Sequence, residues 1–125
     1  MNISTDDLAD VVAETLEEYR QDVVDGLKES IHDAGKTAVT VLKKTSPNDT
    51  GDYAKGWRKR TAYESESDLR IQVHNATDYQ LTHLLEDGHA NVDGGRTEGK
   101  SHIGPAADQA AELLDKDVKL KVGLR

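Results

Sequence analysis

The chain has 125 residues, 35% of them hydrophobic and 32% charged, with a formal net charge of −8. That length fits one domain with a modest core, and with no Phe and a single Trp the core must lean on Leu, Val, Ile and Ala. The absence of cysteine excludes disulfides, zinc–thiolate sites and thiol nucleophiles, and the acidic balance argues against nonspecific nucleic-acid binding, which needs clustered Lys and Arg.

The start, MNISTDDLADVV, is acidic and has neither a basic nor an apolar leader region, so no secretory leader is expected. No run approaches the roughly 20 apolar residues of a membrane span. Residues 1–44 predict one long helix, regular from about position 5. Its apolar positions Leu8, Val12, Leu16, Tyr19, Val23, Leu27, Ile31, Ala34, Ala38 and then Val41 or Leu42 recur in steps of three and four. Thr5 or Ser4 is the expected N-cap, Asp6 and Asp7 suit the first turn, and Lys43 and Lys44 suit the last. Gly26 and Gly35 mark a candidate kink or split. At about 1.5 Å per residue such a helix outreaches a small domain. Two readings stay open: it lies across its own sheet, or part of it extends to pack on a neighbour.

Residues 45–77 predict a turn and a β-hairpin. Pro47, Asn48, Asp49 and Gly51 make the turn, and Thr50 or Asp52 caps a short helical turn. Two period-two segments follow: Trp57, Lys59, Thr61 and Tyr63 alternate with Arg58, Arg60 and Ala62, and Leu69, Ile71 and Val73 alternate with Arg70, Gln72 and His74. Residues 78–87 predict a short helix, capped by Thr77 or Asp78, with Tyr79, Leu81, Leu84 and Leu85 as its apolar residues. Residues 88–104 read as a mobile Gly-rich loop in which almost nothing is apolar except Val92. Residues 105–125 open with Pro105 in the first turn of a last helix, roughly 105–117, that buries Ala106, Ala110, Leu113 and Leu114. The tail DVKLKVGLR alternates Val118, Leu120 and Val122, which leaves a final strand open as an alternative to helix.

Three groupings could carry chemistry. His83, Glu86, His89 and His102 surround the Gly-rich loop, and His83 with Glu86 has the i, i+3 ligand spacing seen in helix bundles. A small metal-dependent hydrolase or nuclease is the function this set would imply. Neither HExxH nor a repeated carboxylate–His pair accompanies it, so solvated or capping histidines are the plainer reading. The loop DGHANVDGGRTEGK holds neither phosphate-cradling Gly pattern, and Ser101 beside His102 makes no triad. Lys55, Arg58, Lys59 and Arg60 lie beside Trp57 and Tyr63, a composition that suits single-stranded nucleic acid. Net charge favours the alternative, in which these cations cover the sheet or meet the acidic helix face of a neighbouring subunit.

Taken in order, TSPNDTGDYAKGWR, then VHNATDYQLTHLLEDGHA with Tyr79, Leu84, Glu86 and Gly88 in register with a Tyr-x-x-x-x-Leu-Glu-x-Gly signature, then HIGPAADQAAELL, follow a long N-terminal helix. This order resembles the small head–tail joining, tail-completion proteins of long-tailed bacteriophages, the minor structural or neck-protein family. The resemblance covers nearly the whole chain. It implies a single α+β domain: a long N-terminal helix on a small antiparallel sheet, a short middle helix and a C-terminal helix. It implies a virion subunit in an oligomeric ring at the head–tail junction or the top of the tail tube, with no enzymatic activity and no cofactor. The implied partners are copies of itself, the connector, and tail-tube or tail-terminator proteins, with genomic DNA passing through unbound and no membrane contact. The implied locations are the virion and, during assembly, the host cytoplasm. Pro47, Thr50 and Gly51 would form a structural turn, and Tyr79, Leu84, Glu86 and Gly88 a packing element. Ile103, Pro105 and Ala106 would reset the chain into the last helix. His89, Asn91, Val92, Asp93, Arg96 and Lys100 would belong to an assembly loop.

Overall fold

The computed structural model describes residues 4–47 and 51–122. Helix α1 spans Thr5–Thr45 without interruption. Ser4 is its N-cap, its hydroxyl accepting from the Asp7 N–H at 3.1 Å. The helix ends where Ser46 turns extended, a conformation that the following Pro47 favours. Neither glycine kinks it. Gly35 lies where the sheet crosses, so close that a methyl there would come within 3.1 Å of Ile71, and Gly26 lies under the Lys121 stem. Both glycines thus admit a neighbour and leave the helix unbroken.

A one-turn helix α2 (Asp52–Lys55) leads into β1 (Trp57–Glu64), which pairs antiparallel with β2 (Leu69–Asn75) from Trp57↔Asn75 to Glu64↔Leu69. A bulge falls between Thr61 and Tyr63. The inward face of β2 is as expected: Leu69 is buried, with Ile71 and Val73 half-buried behind it. A 3₁₀ turn (Tyr79–Leu81) and α3 (Thr82–Asp87) follow.

The segment expected to be a mobile loop instead forms a second small hairpin, with β3 (Gly88–Ala90) paired to β4 (Arg96–Glu98). Turn chemistry holds it where apolar burial does not. The Asn91 N–H donates to the Gly95 carbonyl, the Gly95 N–H to the Asp93 carboxylate, and the Thr97 hydroxyl to the Asn91 side chain. Gly88 has φ +82°, and a Cβ there would strike the Thr97 carbonyl oxygen.

Helix α4 (Ile103–Lys121) completes the chain. Val118 and Leu120 therefore lie on a helix, and the alternative of a final strand is corrected. The i, i+4 pair Lys119–Asp115 and the Lys121 ammonium, which donates to the Gly26 carbonyl of α1, fit a helix that runs on to meet α1. Small residues let the two helices approach: Ala34, Gly35 and Ala38 on α1 face Ala110 and Ala111 on α4. The core centres on Leu42, Tyr53, Trp57 and Ala106, with Val39, Val41, Val73, Leu85 and Ile103 around it.

This packing covers only part of α1. Every residue from 4 to 19 is exposed. The β1–β2 turn reaches the helix at Arg20 and Lys28, whose side chains meet Glu66 and Glu64, and α4 ends beside Gly26. Residues 5–19, about 22 Å of helix at 1.5 Å per residue, project beyond the rest of the domain. Of the two readings left open for the long helix, the first third protrudes as the second requires, while the rest lies across its own sheet and α4.

Candidate functional site

The motif residues converge on a buried polar knot between the end of α1, α2, β2, α3 and the start of α4. Its centre is three rings packed edge to face: Tyr53, Trp57 and His102, with centroids 5.5 to 6.4 Å apart. Each polar atom of these rings has a partner. The Trp57 indole N–H donates to the Ser46 hydroxyl at 2.8 Å, which donates on to the Leu42 carbonyl. Nδ1 of His102 lies 2.7 Å from the Lys100 carbonyl oxygen and 2.9 Å from Glu86 Oε1. Two acceptors there place a hydrogen on Nδ1, and in the neutral ring Nε2 is then the acceptor for the Tyr53 hydroxyl at 2.7 Å. Burial, with the Glu86 charge adding to it, pushes the Tyr53 hydroxyl up to about 12, which keeps it protonated as a donor.

Glu86 joins α3 to α4. Its carboxylate accepts from the N–H groups of His102, Ile103 and Gly104 at 2.6, 2.9 and 3.1 Å, and from the Ser101 hydroxyl at 3.1 Å. These are the orphan donors of a helix start. The next residue, Pro105, has no N–H to satisfy, and the Ala106 N–H makes the first intrahelical bond, to the His102 carbonyl. The cap is therefore complete, and the anion also meets the positive end of the helix dipole. Burial pushes this carboxyl up, but the four donors outweigh it and hold it at about 2.

Asn75 is the third hub, also buried. Its amide donates to the Tyr53 carbonyl at 2.7 Å, and its oxygen accepts from the Thr77 N–H, the Thr77 hydroxyl and the Asp78 N–H. The main chain at Gly56 passes so close that a Cβ would lie 2.1 Å from the Thr77 hydroxyl and 2.6 Å from the Asn75 oxygen. The Gly-Trp of the first motif and the Asn-x-Thr of the second thus lock together.

The metal-site residues are not brought together. Of His83, Glu86, His89 and His102, only Glu86 and His102 touch, and both are committed to the knot. His83 is exposed, and His89 lies on β3. Among the described residues no group of three or more His, Asp or Glu side chains could hold a metal ion. The reading of the histidines as solvated or capping needs correction at His102, which is 1% exposed.

The expected packing element also divides. Glu86 and Gly88 do hold structure together, but Tyr79 is 71% exposed and Leu84 41%. Both leave apolar surface in water, Tyr79 along a groove that it shares with Trp57, Val73 and Ile103. Gly51 adopts φ +92° ahead of α2, which favours glycine, while Thr50 lies outside the described residues. The assembly-loop residues lie on or beside the second hairpin: His89 on β3, Asn91, Val92 and Asp93 in its turn, Arg96 on β4 and Lys100 just beyond. Val92 stands fully exposed, while the Arg96 guanidinium donates back to the Asp87 carbonyl and the Lys100 N–H to the Leu85 carbonyl.

Of the basic cluster, Arg60 is held by Gln72, Lys59 by His32, and Arg58 by the Lys55 and Trp57 carbonyls. Arg58 and Lys59 nevertheless border an open groove of about 310 Å³ between α1 and β1, together with Lys36, Lys43, Val39 and Trp57. Sequence reasoning missed Ser46, Asn75 and the burial of His102. The only signal for them was their place inside the three motifs.

The buried polar knot thus serves the fold, while apolar side chains stand in water on α1, α3 and the second hairpin. The chain belongs to the HK97-gp10-like family, described as "Bacteriophage HK97-gp10, putative tail-component", whose family model matches residues 10–88. It is thus a structural component of a phage tail. Neither a curated protein nor a solved structure matches the chain. The family match takes in the projecting helix from residue 10, the first hairpin and Glu86, and stops before α4.

Proposed function

We propose that the chain is a virion subunit that joins copies of itself in a ring at the head–tail junction or the top of the tail tube, completing the tail. Membership of the phage tail-component family carries this reading. The projecting third of α1 supports it, since Leu8, Val12, Leu16 and Tyr19 are each about half exposed or more and a surface of that kind serves contact with another chain. In this reading the neighbours are the connector and the tail-tube or tail-terminator proteins. Genomic DNA passes through the ring without specific binding, and the subunit performs no catalysis. It resides in the virion and is assembled in the host cytoplasm.

The test is electron microscopy of particles made by a phage that lacks this chain. Filled heads and separate tails, with joined particles restored by supplying the chain, are the expected result. Intact, infectious particles in its absence would overturn the proposal.

A further inference from the structure

We propose that the projecting part of α1 docks into the basic groove between α1 and β1 of a second copy of this chain, so that copies join head to tail. The inference rests on the ring reading above and names its interface. The arm presents an apolar stripe, Leu8, Val12, Leu16 and Tyr19. Away from that stripe the arm is acidic, with Asp7, Glu14 and Glu18, spaced by seven and four residues, in one row on the far side. Between Asp6 and Asp25 the sequence holds a single cation, Arg20, and it is tied to Glu17 and Glu66.

The groove is the counterpart in chemistry, an apolar floor with a basic rim. Val39 and Trp57 line it, and Lys36, Lys43, Arg58 and Lys59 border it. Lys36 and Lys43 are exposed and stand seven residues apart on one face of α1, two helical turns or roughly 10.5 Å. An apolar stripe over an apolar floor, carried by an acidic helix against a basic rim, satisfies both surfaces. Two arms laid side by side would instead crowd one acidic helix against another. Nor does the arm reach its own groove, because Lys36 and Lys43 belong to the same unbroken helix. The complementary surface lies elsewhere on the chain, so the contact is heterologous, the kind that repeats until a ring closes.

The full-length protein is examined by analytical ultracentrifugation from micromolar to millimolar concentration, at low and high salt. The wild type is expected to self-associate, less so at high salt. Glu14→Lys with Glu18→Lys on the arm, or Lys36→Glu with Lys43→Glu on the groove, should each weaken association by at least about tenfold. An equimolar mixture of the two variants should regain it. Leu16→Asp should weaken association at every salt concentration. All these positions are exposed, and far-UV circular dichroism checks that each variant stays folded. A wild type that remains monomeric throughout, variants that assemble like the wild type, or a mixture that regains nothing would overturn the inference. Variants that self-associate normally yet fail to join heads to tails would show that another virion protein occupies the groove. The particle test above is separate, so the ring reading can stand when this interface fails.

Discussion

Glu86 gives the fold a pH signature. Its carboxyl is held from the ordinary 4.5 down to about 2: burial raises it, and the backbone N–H groups of His102, Ile103 and Gly104 with the Ser101 hydroxyl more than offset that. A carboxyl with a depressed folded value stabilises above its unfolded value, and that contribution is lost as pH falls through the folded one. The stabilisation from Glu86 is therefore whole above about pH 4.5 and disappears toward pH 2. At about 1.4 kcal/mol per unit it amounts to at most about 3 kcal/mol. Glu86→Gln, which keeps one acceptor and loses the charge, should cost about 1–3 kcal/mol at pH 7 and flatten the fall in stability between pH 5 and 2. Urea midpoints at several pH values measure both, and an unchanged acid slope would remove Glu86 as the cause. The sequence placed Glu86 in a packing motif and offered it as a metal ligand. Its role as a cap was not legible, because the N–H groups it binds lie 16 to 18 residues away and only folding brings them close.

At the scale of elements, local periodicity was legible and remote contact was not. The 41-residue α1 followed from apolar steps of three and four, and the first hairpin from period-two alternation. The second hairpin was read as a loop because neither of its strands alternates apolar residues; side chains such as Asn91, Asp93 and Thr97 hold it. The tail alternates Val118, Leu120 and Val122 but folds as helix through Val118 and the i, i+4 ion pair, and Leu120 stands in water. The glycines carry the same lesson. Gly56→Ala should cost about 2 kcal/mol or more, because its methyl would collide with Asn75 and Thr77, which join β2 to α2. Gly104→Ala should be neutral or stabilise by up to about 1 kcal/mol, since its methyl would meet Glu86 and Ser101 at ordinary distances of 3.6 and 3.7 Å inside a helix. Thermal melts of the two variants test the contrast, and equal losses would contradict it.

Taken whole, the molecule is a packed domain with a helical arm. Among the described residues the rest of the domain leaves the arm exposed, and a helix of that length is marginal alone. Amide hydrogens of residues 5–19 should exchange at least about a hundredfold faster than those of residues 30–42 in the monomer, and slow on assembly. Hydrogen exchange followed by mass spectrometry reads both states, and arm protection equal to that of the core in the monomer would contradict the picture. The family match ends at Gly88, so α4 lies outside it, yet Glu86 anchors α4 from inside. That anchor grips main-chain N–H groups, which every residue except proline carries. Beyond the shared part of the family, position 104 can thus drift in sequence without loosening the grip, while Ile103 is also held by its packing on the core, and a proline at either would release the anchor. The join is a standard coupling: it fixes where a last helix begins through the main chain and leaves the side chain at position 104 free to vary from one phage to the next.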